Sequence, residues 1–188
     1  MQKRTGFVSI CLILVLLFLV FPLCIRADEA AISCFVTNDA THVLVYARVT
    51  NCFTKDMEAA ILAGVPTTFT FLMDLYQERR HWLDRRITRL TVKHTIKYDI
   101  VKKLFSVSSD GEKEPTLFQD YESAKRAMAD INGLPLTPIK SLQRNEYYYV
   151  QIKAKLEKVR LPLNMEYVFF FVSLWDFETD WYREGFFY

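Results

Sequence analysis

Two stretches of this chain alternate apolar and polar positions with a period of two. From Thr67, the residues Phe69, Phe71, Met73 and Leu75 fall on one face. Thr68, Thr70 and Asp74 fall on the other, with Leu72 the exception. From Arg86, the residues Leu90, Val92, His94, Ile96, Tyr98 and Ile100 oppose Arg89, Thr91, Lys93, Thr95, Lys97 and Asp99. Alternation over that length marks half-buried antiparallel strands. The polar segment Arg79–Arg85 is their natural connection. A third long strand is expected at Tyr147–Lys158, where Tyr148, Val150, Ile152, Ala154 and Leu156 point one way. A last strand at Tyr167–Phe177 is apolar on both faces until Asp176, which suits a central strand or the cover of a groove. Shorter hairpins are expected from Ile32–Asn38 with His42–Asn51, turning near Asp39-Ala40, and from Lys103–Ser108 with Thr116–Gln119. The second is joined through Asp110-Gly111, a hairpin turn signal.

Two helices interrupt the strands. Thr54–Ala63 starts at a capping threonine and stops at Gly64, with Pro66 beyond. In Asp120–Asn132, Asp120 caps, Ala124, Ala127, Met128 and Ile131 form a helical stripe, and Gly133 with Pro135 ends it. Both are too short for crossover helices of a parallel sheet. The fold class is therefore mainly β: an antiparallel two-sheet β-sandwich of Ig-like architecture with two short peripheral helices. A partly closed barrel is the structural alternative.

The N-terminus sets the compartment. Lys3 and Arg4 precede an uncharged run from Phe7 to Ile25, and Arg26-Ala27-Asp28 ends it. Residues 1–27 read as a secretory signal peptide with Ile25-x-Ala27 as cleavage signal. The competing reading is an uncleaved membrane anchor, since residues 7–25 are just long enough to span a bilayer. A lipoprotein reading at Cys24 fits poorly, because Leu23 stands where a small residue is expected. Residues 28–188 then form one β-rich extracytoplasmic domain.

Charge changes meaning once the leader is set aside. The chain has 24 basic and 22 acidic residues, but residues 1–27 hold three basic and no acidic ones. The remaining domain is near neutral, so nothing in bulk charge points to nucleic acid. Cys11 and Cys24 lie in the leader, leaving Cys34 and Cys52. An exported pair invites a disulfide. The expected hairpin register, with Cys34 facing about Val45, sets the two sulfurs far apart unless the chain folds back.

Several segments resemble one bacterial family. Leu62-x-Gly64-Val65-Pro66-Thr67-Thr68-Phe69 is similar to its Gly-Val-Pro-Leu stretch before a long strand. Arg80-His81-Trp82-Leu83-Asp84-Arg85 resembles its Arg-Trp-Trp-x-Asp-Arg turn, with His81 and Leu83 replacing members of the tryptophan run. Leu161-Pro162-Leu163 and Ser173-Leu174-Trp175, with Trp181 soon after, resemble its C-terminal signature. The chain looks like domain-of-unknown-function family 4390 from about Ala31 to Phe186. The resemblance implies an exported protein of Gram-negative bacteria and no established activity.

No catalytic, metal or cofactor set stands out. His42, His81 and His94 share no ligand spacing, and there is no Cys-x-x-Cys. His94, on an apolar strand face, reads as a core residue. There is no Gly-x-Ser-x-Gly elbow or Ser-x-x-Lys. Asp74 and Asp84 are candidates to approach across their hairpin, as glycoside chemistry requires. The stronger expectation pairs them with Arg79, Arg80, Arg85 and Arg86. The strongest anomaly is Arg79-Arg80-His81-Trp82-Leu83-Asp84-Arg85-Arg86, four arginines around a tryptophan. Arginine forks bind carboxylate and phosphate and stack on rings. Arg79, Arg80, Trp82, Arg85 and Arg86 are thus the candidate binding residues, against a bland reading as a solvated hairpin end. The aromatic tail from Trp175 to Tyr188 has two readings, a membrane-interface belt or partner-binding edge, and, preferred, a core strand end whose tail folds back over an open sheet.

The expectation is a non-catalytic periplasmic protein that needs no cofactor. Its partner would be an envelope protein or an anionic envelope surface, with membrane association through residues 7–25. The alternatives are an accessory of a two-component sensor kinase, a lipid carrier built on the Tyr167–Trp175 strand, and, last, a hydrolase using Asp74, Asp84 or Cys52.

Overall fold

The computed structural model describes residues 30–157 and 178–188. The leader and the expected strand Tyr167–Phe177 lie outside the described residues, as do Leu161-Pro162-Leu163 and Ser173-Leu174-Trp175. In chain order the elements are β1 (Ala31–Asn38), β2 (His42–Thr50), α1 (Lys55–Leu62), β3 (Thr67–Gln77), β4 (Arg85–Asp99), β5 (Leu104–Ser109) and β6 (Thr116–Phe118). There follow α2 (Tyr121–Ala129), β7 (Asp130–Pro138), a 3-10 turn at Ile139–Ser141, β8 (Tyr147–Leu156) and β9 (Tyr182–Phe187).

The strands form two antiparallel sheets, β1-β2-β7 and β6-β5-β4-β3-β8-β9. The larger sheet curls into a half-barrel, so the sandwich is mainly β with a strong bend. The alternation read from sequence is what folds the larger sheet. Phe69, Phe71, Met73 and Leu75 face inward, beside Val92 and Ile96 on β4 and Val150, Ile152 and Ala154 on β8. Val43, Val45, Ala47 and Val49 of β2 meet them from the smaller sheet. Fully burying such side chains is worth about 1.5–3 kcal/mol each against exposure.

Each helix closes a gap that the sheets leave. The Thr54 hydroxyl caps α1 by accepting from the Met57 N–H, and Met57, Ala60 and Ile61 bury. Asp120 caps α2 by accepting from the Ser123 N–H at 2.7 Å, and Ala124 and Met128 bury.

Three expectations are corrected. The second helix stops at Ala129 rather than Asn132, because Asp130–Pro138 is captured as a strand by β2. Asp130 is fixed there by a two-pronged bond from Arg48, at 2.8 and 2.6 Å. Pro135 and Gly133 (φ 63°) are tolerated because β7 is an edge strand whose pairing slips twice. The tail does not merely fold over the sheet: Tyr182–Phe187 pairs with β8 and extends the larger sheet. Cys34 stands opposite Ala47 rather than Val45. Cys34 and Cys52 are both buried free thiols.

The strands run between two poles. One pole carries the β3–β4 turn, the β7–β8 connection and the C-terminus. The other carries Ala30, α1 and the β4–β5 turn.

Candidate functional site

The candidate arginines sit where β3 gives way to β4. Gln77 pairs with Arg85, so residues 78–84 form the closing turn. Asp84 shapes that turn. One carboxylate oxygen accepts from the Arg79 N–H at 3.1 Å. The other accepts from the Tyr149 hydroxyl at 2.7 Å. These bonds hold the Asp84 carboxyl below its ordinary range, the tyrosine contributing most. Burial, with the anion beside it, pushes the Tyr149 hydroxyl up to about 12. The turn is thereby tied to the middle of the larger sheet.

Tyr149 is the hub of an aromatic stack. Its ring lies nearly parallel to that of Tyr76, with centroids 5.2 Å apart. The Arg183 guanidinium from β9 lies 3.4 Å from its centroid. Cation–ring contacts at solvent-exposed sites of this kind are worth about 0.5–1 kcal/mol. Arg183 also reaches Glu78 at 3.5 Å.

Asp74 does not belong to the arginine turn. Arg89, its cross-strand neighbour, donates to both carboxylate oxygens at 2.6 and 2.7 Å. That bidentate bond, more than any other contact, lowers the Asp74 pKa. The expected pairing of Asp74 and Asp84 with Arg79, Arg80, Arg85 and Arg86 is therefore corrected. Asp74 pairs with Arg89, and Asp84 takes Tyr149 and a backbone N–H. The two carboxylates do not pair: Asp74 accepts from the Tyr76 hydroxyl at 3.5 Å and Asp84 from the Tyr149 hydroxyl, one from each of the two stacked rings.

This leaves the side chains of Arg79, Arg80, Arg85 and Arg86 with no hydrogen bond or salt bridge among the described residues. All four are exposed, and Trp82 and Leu83 at the tip are 76% and 82% exposed. Arg79, Arg80 and Arg85 line a cleft of about 710 Å³. Its far wall comes from the β7–β8 connection and β9, with Glu146, Tyr147 and Phe187. Trp82 and Arg86 do not line it. Trp82 projects from the tip, and Arg86 continues along β4 opposite Tyr76.

Tyr147 and Phe187 were not foreseen as site residues. Their rings meet edge to face across β8 and β9, with centroids 4.9 Å apart. Tyr182, Glu184 and Phe186 share the inward face of β9, so Glu184 breaks the strand signal, and nothing local tells that the strand ends beside the arginine turn.

The other candidates resolve simply. His94 is buried, and its Nδ1 lies 3.1 Å from the Met128 carbonyl oxygen. Burial lowers its pKa. Burial pushes the Cys34 and Cys52 thiols up to about 12. The Cys52 thiol points at the Val49 carbonyl. Among the described residues, no three His, Cys, Asp or Glu side chains gather as metal ligands. Nor is any described helix long and apolar enough to cross a membrane.

Comparison with known proteins adds one finding. The family model for Domain of unknown function (DUF4390) matches residues 27–184. No curated protein and no solved structure matches.

Proposed function

The chain belongs to the DUF4390 family, whose description assigns no activity, and we propose that this member is an exported, non-catalytic binding protein. Its arginine turn receives an acidic segment of an envelope protein. The observation that carries the reading is the exposed turn itself: Arg79, Arg80 and Arg85 line a cleft with no salt bridge among the described residues, and the exposed Trp82 stands beside them. Arginine and tryptophan are the side chains that most often dominate binding energy at protein interfaces. Arg79, Arg80 and Arg85 would take carboxylates as planar forks. Tyr147 and Phe187 would take the apolar side chains between them.

A non-catalytic role draws support from the state of the candidate nucleophiles. The Cys52 thiol is buried and held protonated, and Asp74 and Asp84 are each committed to structural bonds. The lipid-carrier alternative rests on Tyr167–Trp175, outside the described residues.

The test is fluorescence anisotropy of a labelled decapeptide of alternating Glu and Leu, titrated with the full chain in nanodiscs. The reading predicts saturable binding that weakens as salt rises. Changing Arg79, Arg80, Arg85 and Arg86 together to Ala should weaken it by on the order of a hundredfold, at about 1 kcal/mol or less for each exposed charge. Equal binding by the variant removes the arginines from the proposed surface.

A further inference from the structure

The opposite pole carries its own anomaly. The turn from β4 to β5 is Asp99-Ile100-Val101-Lys102-Lys103, and it exposes two aliphatic side chains at its tip. Val101 is 92% exposed and Ile100 58%. Leu62, at the end of α1, adds a third apolar side chain, 42% exposed. Gly64, at φ +85°, brings α1's end beside the tip, so that a Cβ there would sit 3.3 Å from the Ile100 side chain. Lys97, Lys102 and Lys103 surround the tip and are exposed. Its one carboxylate, Asp99, is spent inside the turn, accepting from the N–H groups of Val101 and Lys102 at 3.0 Å each. The tip is thus held in one shape with its aliphatic groups outward, and its three lysines outnumber the single Asp99 carboxylate beside them.

The path of the chain says what this pole meets. Ala31 pairs with Thr50, so β1 begins beside the entry to α1. Residues 7–25, an uncharged run, therefore join the domain at this same pole through a short tether. Four residues, 26–29, separate that run from Ala30 and reach about 13 Å at most when extended. On the reading of residues 1–27 as an export leader, this pole is the one that faces the bilayer while the leader is attached. Acidic side chains also lie here, Asp56 and Glu58 in the first turn of α1, at the helix end away from Leu62.

We propose that the Ile100–Lys103 turn, with Leu62 beside it, is a contact for an anionic phospholipid surface. The aliphatic tip enters the headgroup region while Lys102 and Lys103 meet lipid phosphates. Basic residues close to an anionic leaflet attract it additively, and short apolar groups add burial at the interface. The fifteen-residue β4 then acts as a spacer of roughly 45–50 Å between this contact and the arginine turn. The inference rests on the export reading but not on the arginine turn, which lies at the other pole.

The experiment places an environment-sensitive dye on Val101→Cys in the full chain, with Cys11 and Cys24 changed to Ser. The remaining thiols, Cys34 and Cys52, are buried and shielded from label. A second protein carries the dye on Trp82→Cys. Both are added to vesicles of phosphatidylcholine, with or without phosphatidylglycerol, containing a brominated lipid as quencher. The proposal expects the dye at position 101 to shift to the blue and be quenched in the anionic vesicles, while the dye at position 82 stays in water. Changing Lys102 and Lys103 to Glu should weaken the contact by on the order of tenfold or more. The proposal is overturned if the dye at 101 stays as solvent-exposed as the dye at 82. It is overturned equally if quenching is the same with and without phosphatidylglycerol, or is unchanged by the lysine reversals.

Discussion

The Tyr149 hydroxyl donates to Asp84 at 2.7 Å, and this bond fastens the exposed arginine turn to the central strands of the larger sheet. Beyond it, among the described residues only Glu78 ties the turn to the strands past β3 and β4, through the Tyr147 carbonyl at 3.0 Å and Arg183 at 3.5 Å. Tyr149→Phe should leave the sheet folded and loosen residues 78–84. Limited trypsin digestion reads this directly, because the turn is rich in arginine. Cleavage after Arg79, Arg80, Arg85 or Arg86 should accelerate severalfold, with a stability loss of about 1 kcal/mol, modest because Asp84 is solvated. Asp84→Ala should do the same, and the double variant should add little to either.

The Asp74–Arg89 pair should matter more for stability than for binding. Asp74 is covered, with its side chain 4% exposed, while that of Arg89 is 58% exposed. Asp74→Asn leaves the guanidinium poorly matched and should cost about 1–2 kcal/mol, discounted for the solvated arginine. The folded-state pKa of Asp74 lies below its unfolded value. Its stabilisation is therefore complete above about pH 4 and disappears as pH falls through the folded value. Urea midpoints at pH 7 and pH 3 should differ less for Asp74→Asn than for the parent chain.

His94 makes a separate pH window. Its imidazole is buried beside Phe71, with ring centroids 5.2 Å apart, and burial holds its pKa below the ordinary 6.5. Asp110 and Glu112 oppose that shift without reversing it. The unfolded chain then takes up a proton that the folded chain resists. Stability is full above about pH 6.5 and declines as pH falls from there towards the folded pKa. His94→Gln should lower stability at pH 7.5 and flatten its decline as pH falls below about 6.5, as read by urea unfolding.

Gly185 ties the C-terminal strand to the cleft. A Cβ at this position would collide with the Tyr147 hydroxyl. Gly185→Ala should swing the Tyr147 ring, a flexible side chain, at a cost of under about 1 kcal/mol. The measurable effect should fall on the cleft: acidic-peptide affinity changes severalfold while the thermal midpoint barely moves.

The sequence made the long strands legible because their alternation is nearly uninterrupted. Phe69 to Leu75 and Val92 to Ile96 leave one solution for their faces. It misled at β7, because Ile131 continues the helical stripe of α2 and only pairing with β2 pulls it into a strand. It misled at β9 because Glu184 stands on the inward side of an edge strand, where local pattern reading expects an apolar residue. The arginine turn was visible, but its ion-pair partners were assigned by proximity along the chain. Cross-strand register chooses Arg89 for Asp74, and the Tyr149 bond to Asp84 spans 65 residues. What left the four arginine side chains without a hydrogen-bonded carboxylate among the described residues was thus a long-range fact.

The most direct test exchanges the charge of the turn. Arg79, Arg80, Arg85 and Arg86 are all changed to Glu, and the full chain is titrated with two labelled decapeptides, one of alternating Glu and Leu and one of alternating Lys and Leu. The account predicts that the parent chain prefers the acidic peptide and that the variant prefers the basic one. Unchanged preference in the variant would contradict it, because the acidic peptide would then be held by some other surface.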